Sequence, residues 1–150
     1  MADNFYGEVL TDHNLHPQHK HELDCATCSQ HGVNPSCGDD IVLNLEVRNG
    51  IIENGSFTGS GCAISQASAD IMLDLIIGKT PEEAEHYKEL FMKMISGGIT
   101  DEELEELEEA SALQSISKMP ARVKCAALGW RTLETLLNFK EVKNEDINKG

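Results

Sequence analysis

Asp40-Ile41-Val42-Leu43-Asn44-Leu45-Glu46-Val47-Arg48-Asn49-Gly50-Ile51 carries the plainest structural signal in the chain. Ile41, Leu43, Leu45 and Val47 alternate with Val42, Asn44, Glu46 and Arg48, and that period of two gives a strand one apolar face. Asn49-Gly50 is a strong hairpin signal, because both residues tolerate the left-handed backbone of a two-residue turn. Ile51 to Ser60 is therefore predicted to return as an antiparallel strand. Gly59-Ser60-Gly61 closes the hairpin and leads into Cys62-Ala63-Ile64-Ser65, the first turn of a helix running to Ile77. Ile64, Ser68, Ile71 and Leu75 recur at helical spacing, and Gly78 supplies the stop.

Helices flank this unit. Asn4 to Leu15 reads as a short helix with Phe5, Val9 and Leu10 along one side, ended by Pro17. Residues 16 to 36 read as a polar loop. Thr80-Pro81-Glu82-Glu83 and Thr100-Asp101-Glu102-Glu103 are capping boxes. The first opens a helix that buries Leu90, Phe91, Met94 and Ile95 until Gly97-Gly98 breaks it. The second opens an acidic helix expected to continue to about Ile116. Pro120 starts a last helix through Leu128, Trp130, Leu133, Leu136 and Leu137 to about Phe139. The polar tail from Lys140 to Gly150 is expected to fray. There is no internal repeat and no composition break. The expectation is a single α+β domain over residues 1–150, with a small antiparallel sheet and helices packed on one face.

A chain of 150 residues can bury roughly 70% of its extended surface. The formal charge is −14, and seven carboxylates fall within Asp101 to Glu109. That balance excludes a nucleic-acid partner, which needs clustered Lys and Arg. The acidic run reads as a solvated helix face. No basic and apolar leader opens the chain, and Ile71 to Ile77 is interrupted by Asp74 and too short to span a bilayer. A soluble cytoplasmic protein with no membrane partner is expected. There, five cysteines serve as thiols, metal ligands or redox groups rather than as disulfides.

Three cysteines occupy element ends. Cys37 sits in Val33-Asn34-Pro35-Ser36-Cys37-Gly38-Asp39, where proline and glycine restrict the loop. Cys62 lies at a helix N-terminus, whose dipole and free N–H groups favour a thiolate. Cys125 lies in the first turns of the last helix. With Asp39 they make three sulfur donors and one oxygen donor, a set suited to Zn²⁺ or iron. Their spacing matches no zinc ribbon, so it does not itself show convergence. Three buried core thiols and a turn-capping Asp39 are the plain alternative. Cys25-Ala26-Thr27-Cys28 reads as an exposed loop with two ordinary thiols; a second metal held with His21 or His31, or a redox pair, is the other reading. His13, His16, His19 and His21 share no helical face and read as solvated loop histidines. Arg122 reads either as a group serving the site or as a surface base.

Asn34-Pro35-Ser36-Cys37-Gly38-Asp39, Gly59-Ser60-Gly61-Cys62-Ala63-Ile64-Ser65 and Pro120-Ala121-Arg122-Val123-Lys124-Cys125-Ala126 resemble three signatures of the U-type iron–sulfur cluster assembly proteins. This is the IscU/NifU-like family, and the resemblance is closest to its SufU branch. It spans roughly residues 4 to 139, and Tyr6, Val9, Leu10, Asp12 and His13 of the opening helix share in it. It implies the SufE/IscU-like fold and a sulfur acceptor or scaffold serving a cysteine desulfurase of SufS type. It also implies that Cys37, Asp39, Cys62 and Cys125 bind Zn²⁺ or hold a nascent [2Fe–2S] cluster. Lys124 stands where IscU-type proteins have a histidine; a protonated lysine cannot ligate, which leaves Asp39 as the fourth ligand. The segment between Cys62 and Cys125 is longer than in IscU, with Pro81 to Ser96 resembling the SufU insertion. For that branch the implied chemistry is persulfide transfer. A partner side chain frees Cys37 from zinc, the thiolate attacks the outer sulfur of the desulfurase persulfide, and sulfur passes on to cluster assembly or apo-proteins. A scaffold that builds a [2Fe–2S] cluster is the alternative.

Overall fold

In the computed structural model, side chains are described for residues 7–138, and the first and last helices carry the backbone to Ala2 and Lys149. The predicted roles of Phe5, Tyr6 and Phe139 lie outside the described side chains, and the last helix runs on to Lys149 instead of ending near Phe139 in a frayed tail.

The hairpin forms as the alternation requires. Strands β2 (Asp39–Arg48) and β3 (Ile51–Ser60) pair antiparallel, with Leu43 opposite Phe57 and Arg48 opposite Ile51. Asn49 and Gly50 turn the chain at φ 55° and 75°, the left-handed pair of a two-residue hairpin. The register shifts between Glu46 and Val47, a bulge that sharpens the local twist.

Part of the polar loop expected over residues 16 to 36 is instead a strand. Cys28–Asn34 forms β1 and pairs antiparallel with β2, giving a three-stranded sheet in the order β1-β2-β3. Its burial does alternate, but the inward positions are Cys28, Gln30, Gly32 and Asn34. Hydropathy is silent on such a set, and Val33 points outward at 49% exposure. The rest of the loop protects the far edge of the sheet: Phe57 N–H donates to the His19 carbonyl at 2.8 Å, beside a parallel bridge between Lys20 and Phe57.

Ile41, Leu43, Leu45 and Phe57 are fully buried under helices α2 (Ala63–Ile76) and α5 (Pro120–Lys149). The opposite face of the sheet carries a polar row, where Ser29 donates to Asn44 at 2.7 Å and Asn44 donates to Ser56 at 3.3 Å. Gly32 sits opposite Ile41, and a Cβ there would run into Thr132 of α5, so this glycine sets how closely helix and sheet approach. Helix α2 is central, with Ser65 to Leu73, Leu75 and Ile76 all buried. Helices α1 (Ala2–Leu15) and α3 (Pro81–Ser96) pack around α2 and α5. Both capping boxes form, and Phe91 of α3 stacks on Trp130 of α5 with ring centres 4.6 Å apart. No helix among the described residues is long and apolar enough to cross a membrane.

The acidic segment departs from the single helix expected. Helix α4 (Asp101–Glu106) stops after six residues, Glu108 turns at φ 50°, and Glu108–Lys118 winds as a 3-10 helix. Leu107, Ala110, Leu113 and Ile116 are buried at intervals of three residues, the period of a 3-10 helix rather than an α-helix. Tertiary burial of that stripe overrides the weaker 3-10 hydrogen-bond geometry.

Candidate metal centre

Cys37 lies at the tip of the β1–β2 connection. Asn34 and Asp39 are the last register pair of the two strands, and residues 35 to 38 join them. Cys37 N–H donates to the Asn34 carbonyl at 3.2 Å, Gly38 N–H donates to the Pro35 carbonyl at 3.4 Å, and Gly38 turns at φ 71°. The tip leaves Cys37 half-buried, while Asp39 inside the ladder is completely buried.

A buried carboxylate needs donors, and Asp39 has them. Cys62 N–H donates to its Oδ1 at 2.8 Å, and the Asn34 side-chain amide reaches its Oδ2 at 3.4 Å. The same amide donates to the Cys125 sulfur at 3.9 Å. Cys62 is the N-cap of α2: its sulfur accepts from Ser65 N–H at 3.4 Å, and Ser65 Oγ donates to the Cys62 carbonyl at 3.0 Å. Gly61 makes this approach possible, since a Cβ would stand 2.6 Å from both Asp39 Oδ1 and Ser65 Oγ.

Cys125, on α5, is buried with its sulfur 2.8 Å from that of Cys37. Burial pushes its thiol well above the usual cysteine range, and the neighbouring Cys37 and Cys62 sulfurs and the Asp39 charge push it further. The structure therefore brings Cys37, Asp39 and Cys125 together, with one donor atom from each all within 4.8 Å of one another. Cys62 acts on the Cys125 thiol but stands outside that group, its sulfur held by the start of its own helix. Donors about 2.0–2.3 Å from one tetrahedral ion lie roughly 3.3–3.8 Å apart, so the three converging groups suit a single Zn²⁺ or iron ion once the Cys37 and Cys125 sulfurs open from their 2.8 Å thiol contact. Beside Cys37 an open depression of about 410 Å³ is lined by Ser36, Pro120, Ala121, Arg122 and Lys124. Arg122 and Lys124 are exposed there and are the two positive side chains on its wall among the described residues.

The sequence matches the NifU-like N terminal domain over residues 5–144. The chain belongs to this NifU-like family. It is 39% identical over 132 residues to the zinc-dependent sulfurtransferase SufU of Bacillus subtilis, covering 88% of each chain. It is 41% identical over 132 residues to the iron–sulfur cluster assembly scaffold protein IscU of Thermotoga maritima, covering 88% of this chain and 92% of that one. A crystal structure from Fervidobacterium islandicum, described as a candidate SUF-system cluster assembly scaffold, superposes with a TM-score of 0.82 at 34% identity. That superposition covers 91% of this chain and 99% of the other. The NifU-like α+β fold expected from the three signatures is the fold observed.

Two features of this NifU-like chain went unforeseen. The Asn34 amide ties Asp39 to Cys125, a role that its place in the loop signature did not announce. An amide five residues before a buried carboxylate was the available signal. His13 is not a solvated loop residue: it lies on α1 at 6% exposure, with Nδ1 2.7 Å from the buried Asp70 and Nε2 3.3 Å from Glu109. Burial would lower its pKa, but the Asp70 and Glu109 hydrogen bonds outweigh burial and raise it. The Glu109 end of the acidic run is thus a partner rather than a plain solvated face. His19 is bound as well, through Asp74 at 2.6 Å. In the CxxC segment, the exposed Cys25 thiol donates to Glu46 at 3.3 Å, while Cys28 begins β1 and packs on the core. His21 turns to the Glu22 carbonyl and His31 to Asp40.

Proposed function

We propose that this chain is a sulfur acceptor in cytoplasmic iron–sulfur cluster biogenesis, taking sulfur on Cys37 from a cysteine desulfurase of SufS type. The observation that carries the reading is the setting of Cys37. It is half-exposed on a hairpin tip at the edge of an open depression, with its sulfur against the buried Cys125 and beside Asp39. Zn²⁺ held by Cys37, Asp39, Cys62 and Cys125 would keep the thiols deprotonated at neutral pH. The name of the Bacillus relative supports that choice of metal.

The residues divide the work. The Cys37 thiolate attacks the outer sulfur of the donor persulfide. A bond forms between Cys37 Sγ and that sulfur, the sulfur–sulfur bond of the donor breaks, and the donor cysteine leaves as a thiolate. Atoms and electrons balance with no outside oxidant. Arg122 and Lys124 line the approach and favour an anionic persulfide. Cys125 and Asp39 are buried and held by Asn34, so they stay while Cys37 reacts.

The test is mass spectrometry of the intact chain after incubation with a SufS-type desulfurase and cysteine. One added sulfur atom on Cys37 is expected, and none in Cys37→Ala of unchanged circular dichroism. Normal desulfurase stimulation by Cys37→Ala overturns the assignment. A second reading, a scaffold for a [2Fe–2S] cluster, is favoured by the same thiolate-rich donor set and by the name of the Thermotoga relative. Anaerobic purification separates the two: colourless protein with tight zinc, or brown protein with iron and sulfide.

A further inference from the structure

A second group of ligand-type side chains lies away from the cysteines. Asp74 is twelve residues beyond Cys62, about 18 Å along α2. There His13 of α1, Asp74 of α2 and Glu109 of the 3-10 segment each bring one donor atom to within 4.8 Å of the others. Asp74 and Glu109 border a depression of about 110 Å³, lined also by Glu108 and by apolar Ile71, Leu75 and Leu107. We infer that His13 Nε2, Asp74 and Glu109 form a second cation site, one that takes a divalent first-row metal ion on nitrogen and oxygen donors.

The orientation of His13 carries the inference. Its Nδ1 faces Asp70 Oδ2 at 2.7 Å, and Asp70 is completely buried and also accepts from His19 N–H at 2.9 Å. A carboxylate can only accept, so Nδ1 is the protonated nitrogen. In the neutral ring, Nε2 then presents its lone pair to the two Glu109 oxygens, at 3.3 and 3.4 Å. A lone pair aimed at a carboxylate is repulsive unless a positive charge stands between them. A proton fills that place below the raised pKa of the ring, and a metal ion can take its place by displacing it. A buried carboxylate behind a histidine is also the usual support of a ligating imidazole, fixing the tautomer and raising its basicity.

Charge balance points the same way. Among the described residues the ion pairs of Asp70, Asp74 and Glu109 are all to His13 and His19, and Glu108 adds a further carboxylate to the rim. One imidazole and two carboxylates suit Mn²⁺, Fe²⁺ or Zn²⁺, whereas the cysteine centre suits softer binding. Three elements supply one ligand each, so an ion here would tie α1 to α2 and to the 3-10 segment while keeping coordination positions open.

Mn²⁺ is the discriminating probe, because it takes carboxylate and imidazole readily and thiolate poorly. The free-Mn²⁺ paramagnetic resonance signal is followed as full-length protein is added, at neutral pH. Uptake of one ion per chain with a Kd below about 1 mM is expected. Asp74→Asn and Glu109→Gln, both at part-exposed side chains, should each weaken uptake at least tenfold, His13→Gln should remove it, and Cys37→Ala should leave it unchanged. Uptake absent at millimolar Mn²⁺, equal in wild type, Asp74→Asn and Glu109→Gln, or lost in Cys37→Ala overturns the site. If His13→Gln does not fold, the two carboxylate variants decide.

Discussion

Gly61→Ala tests how tightly the backbone is built around the candidate metal centre. The new Cβ would stand 2.6 Å from Asp39 Oδ1 and from Ser65 Oγ. To restore ordinary contact the Asp39 carboxylate must retreat by about 0.8 Å. Its bond from Cys62 N–H, 2.8 Å in the structure, does not survive such a shift. A hydrogen bond to a charged group contributes about 1.5–3 kcal/mol, and Asp39 has no exposed surface through which water could replace it. For a chain of this size that corresponds to a fall in Tm of roughly 3–12 °C. If Asp39 ligates zinc as proposed, the same displacement should weaken zinc binding about 10–150-fold. Thermal melts in chelator give the first quantity, and competition with a chromophoric zinc chelator gives the second. Gly98→Ala is the control, because nothing lies within 4 Å of a Cβ there. A Gly61→Ala protein that melts within about 1 °C of wild type and binds zinc as tightly would refute the reasoning.

Three further outcomes are expected. Gly32→Ala should destabilise by about 1–3 kcal/mol through its clash with Thr132, and Thr132→Ala should restore part of that loss; additive effects in the double mutant would count against direct contact. His13, facing Asp70, Asp74 and Glu109, has a raised pKa, so its stabilising contribution is complete below its unfolded value near about 6.5 and is lost as pH rises through the folded one. In chelator, urea midpoints should fall with rising pH more steeply for wild type than for His13→Asn, and parallel profiles would contradict this. The Glu46 carboxylate holds the exposed Cys25 thiol above its usual range, chiefly by accepting its hydrogen bond. Glu46→Gln should therefore speed alkylation of Cys25 at mildly basic pH, and an unchanged rate would remove Glu46 as the cause.

How far the chain could be read in advance followed from which residues point inward. The β2–β3 hairpin was legible because Ile41, Leu43 and Leu45 alternate and Asn49-Gly50 can take the left-handed turn. Both capping boxes and the buried side of α3 were legible for similar local reasons. Strand β1 was not: its inward positions hold Cys, Gln, Gly and Asn, so alternation exists in space but not in hydropathy. The 3-10 segment hid its period of three beneath a run of carboxylates. At the site, the four residues could be named, but the meeting of Cys37, Asp39 and Cys125 joins positions up to 88 residues apart and no local rule reports it. Resemblance to the family supplied that expectation; the Asn34 and Gly61 contacts needed coordinates.

The site also separates two donors that are neighbours in sequence. Asn34 and Asp39 close the β1–β2 ladder, so everything between them is tip and everything outside them is sheet. Asp39 belongs to the sheet side, buried and held by Cys62 N–H and the Asn34 amide. Cys37 belongs to the tip, where its backbone makes one long bond of 3.2 Å across the turn and its side chain reaches the surface. A displacement of Cys37 therefore breaks no ladder bond, whereas a displacement of Asp39 or Cys125 disturbs the sheet, α2 or α5. On the proposed reading, sulfur acceptance requires one ligand to leave while the others hold the site, and Cys37 is the proposed ligand whose release disturbs least.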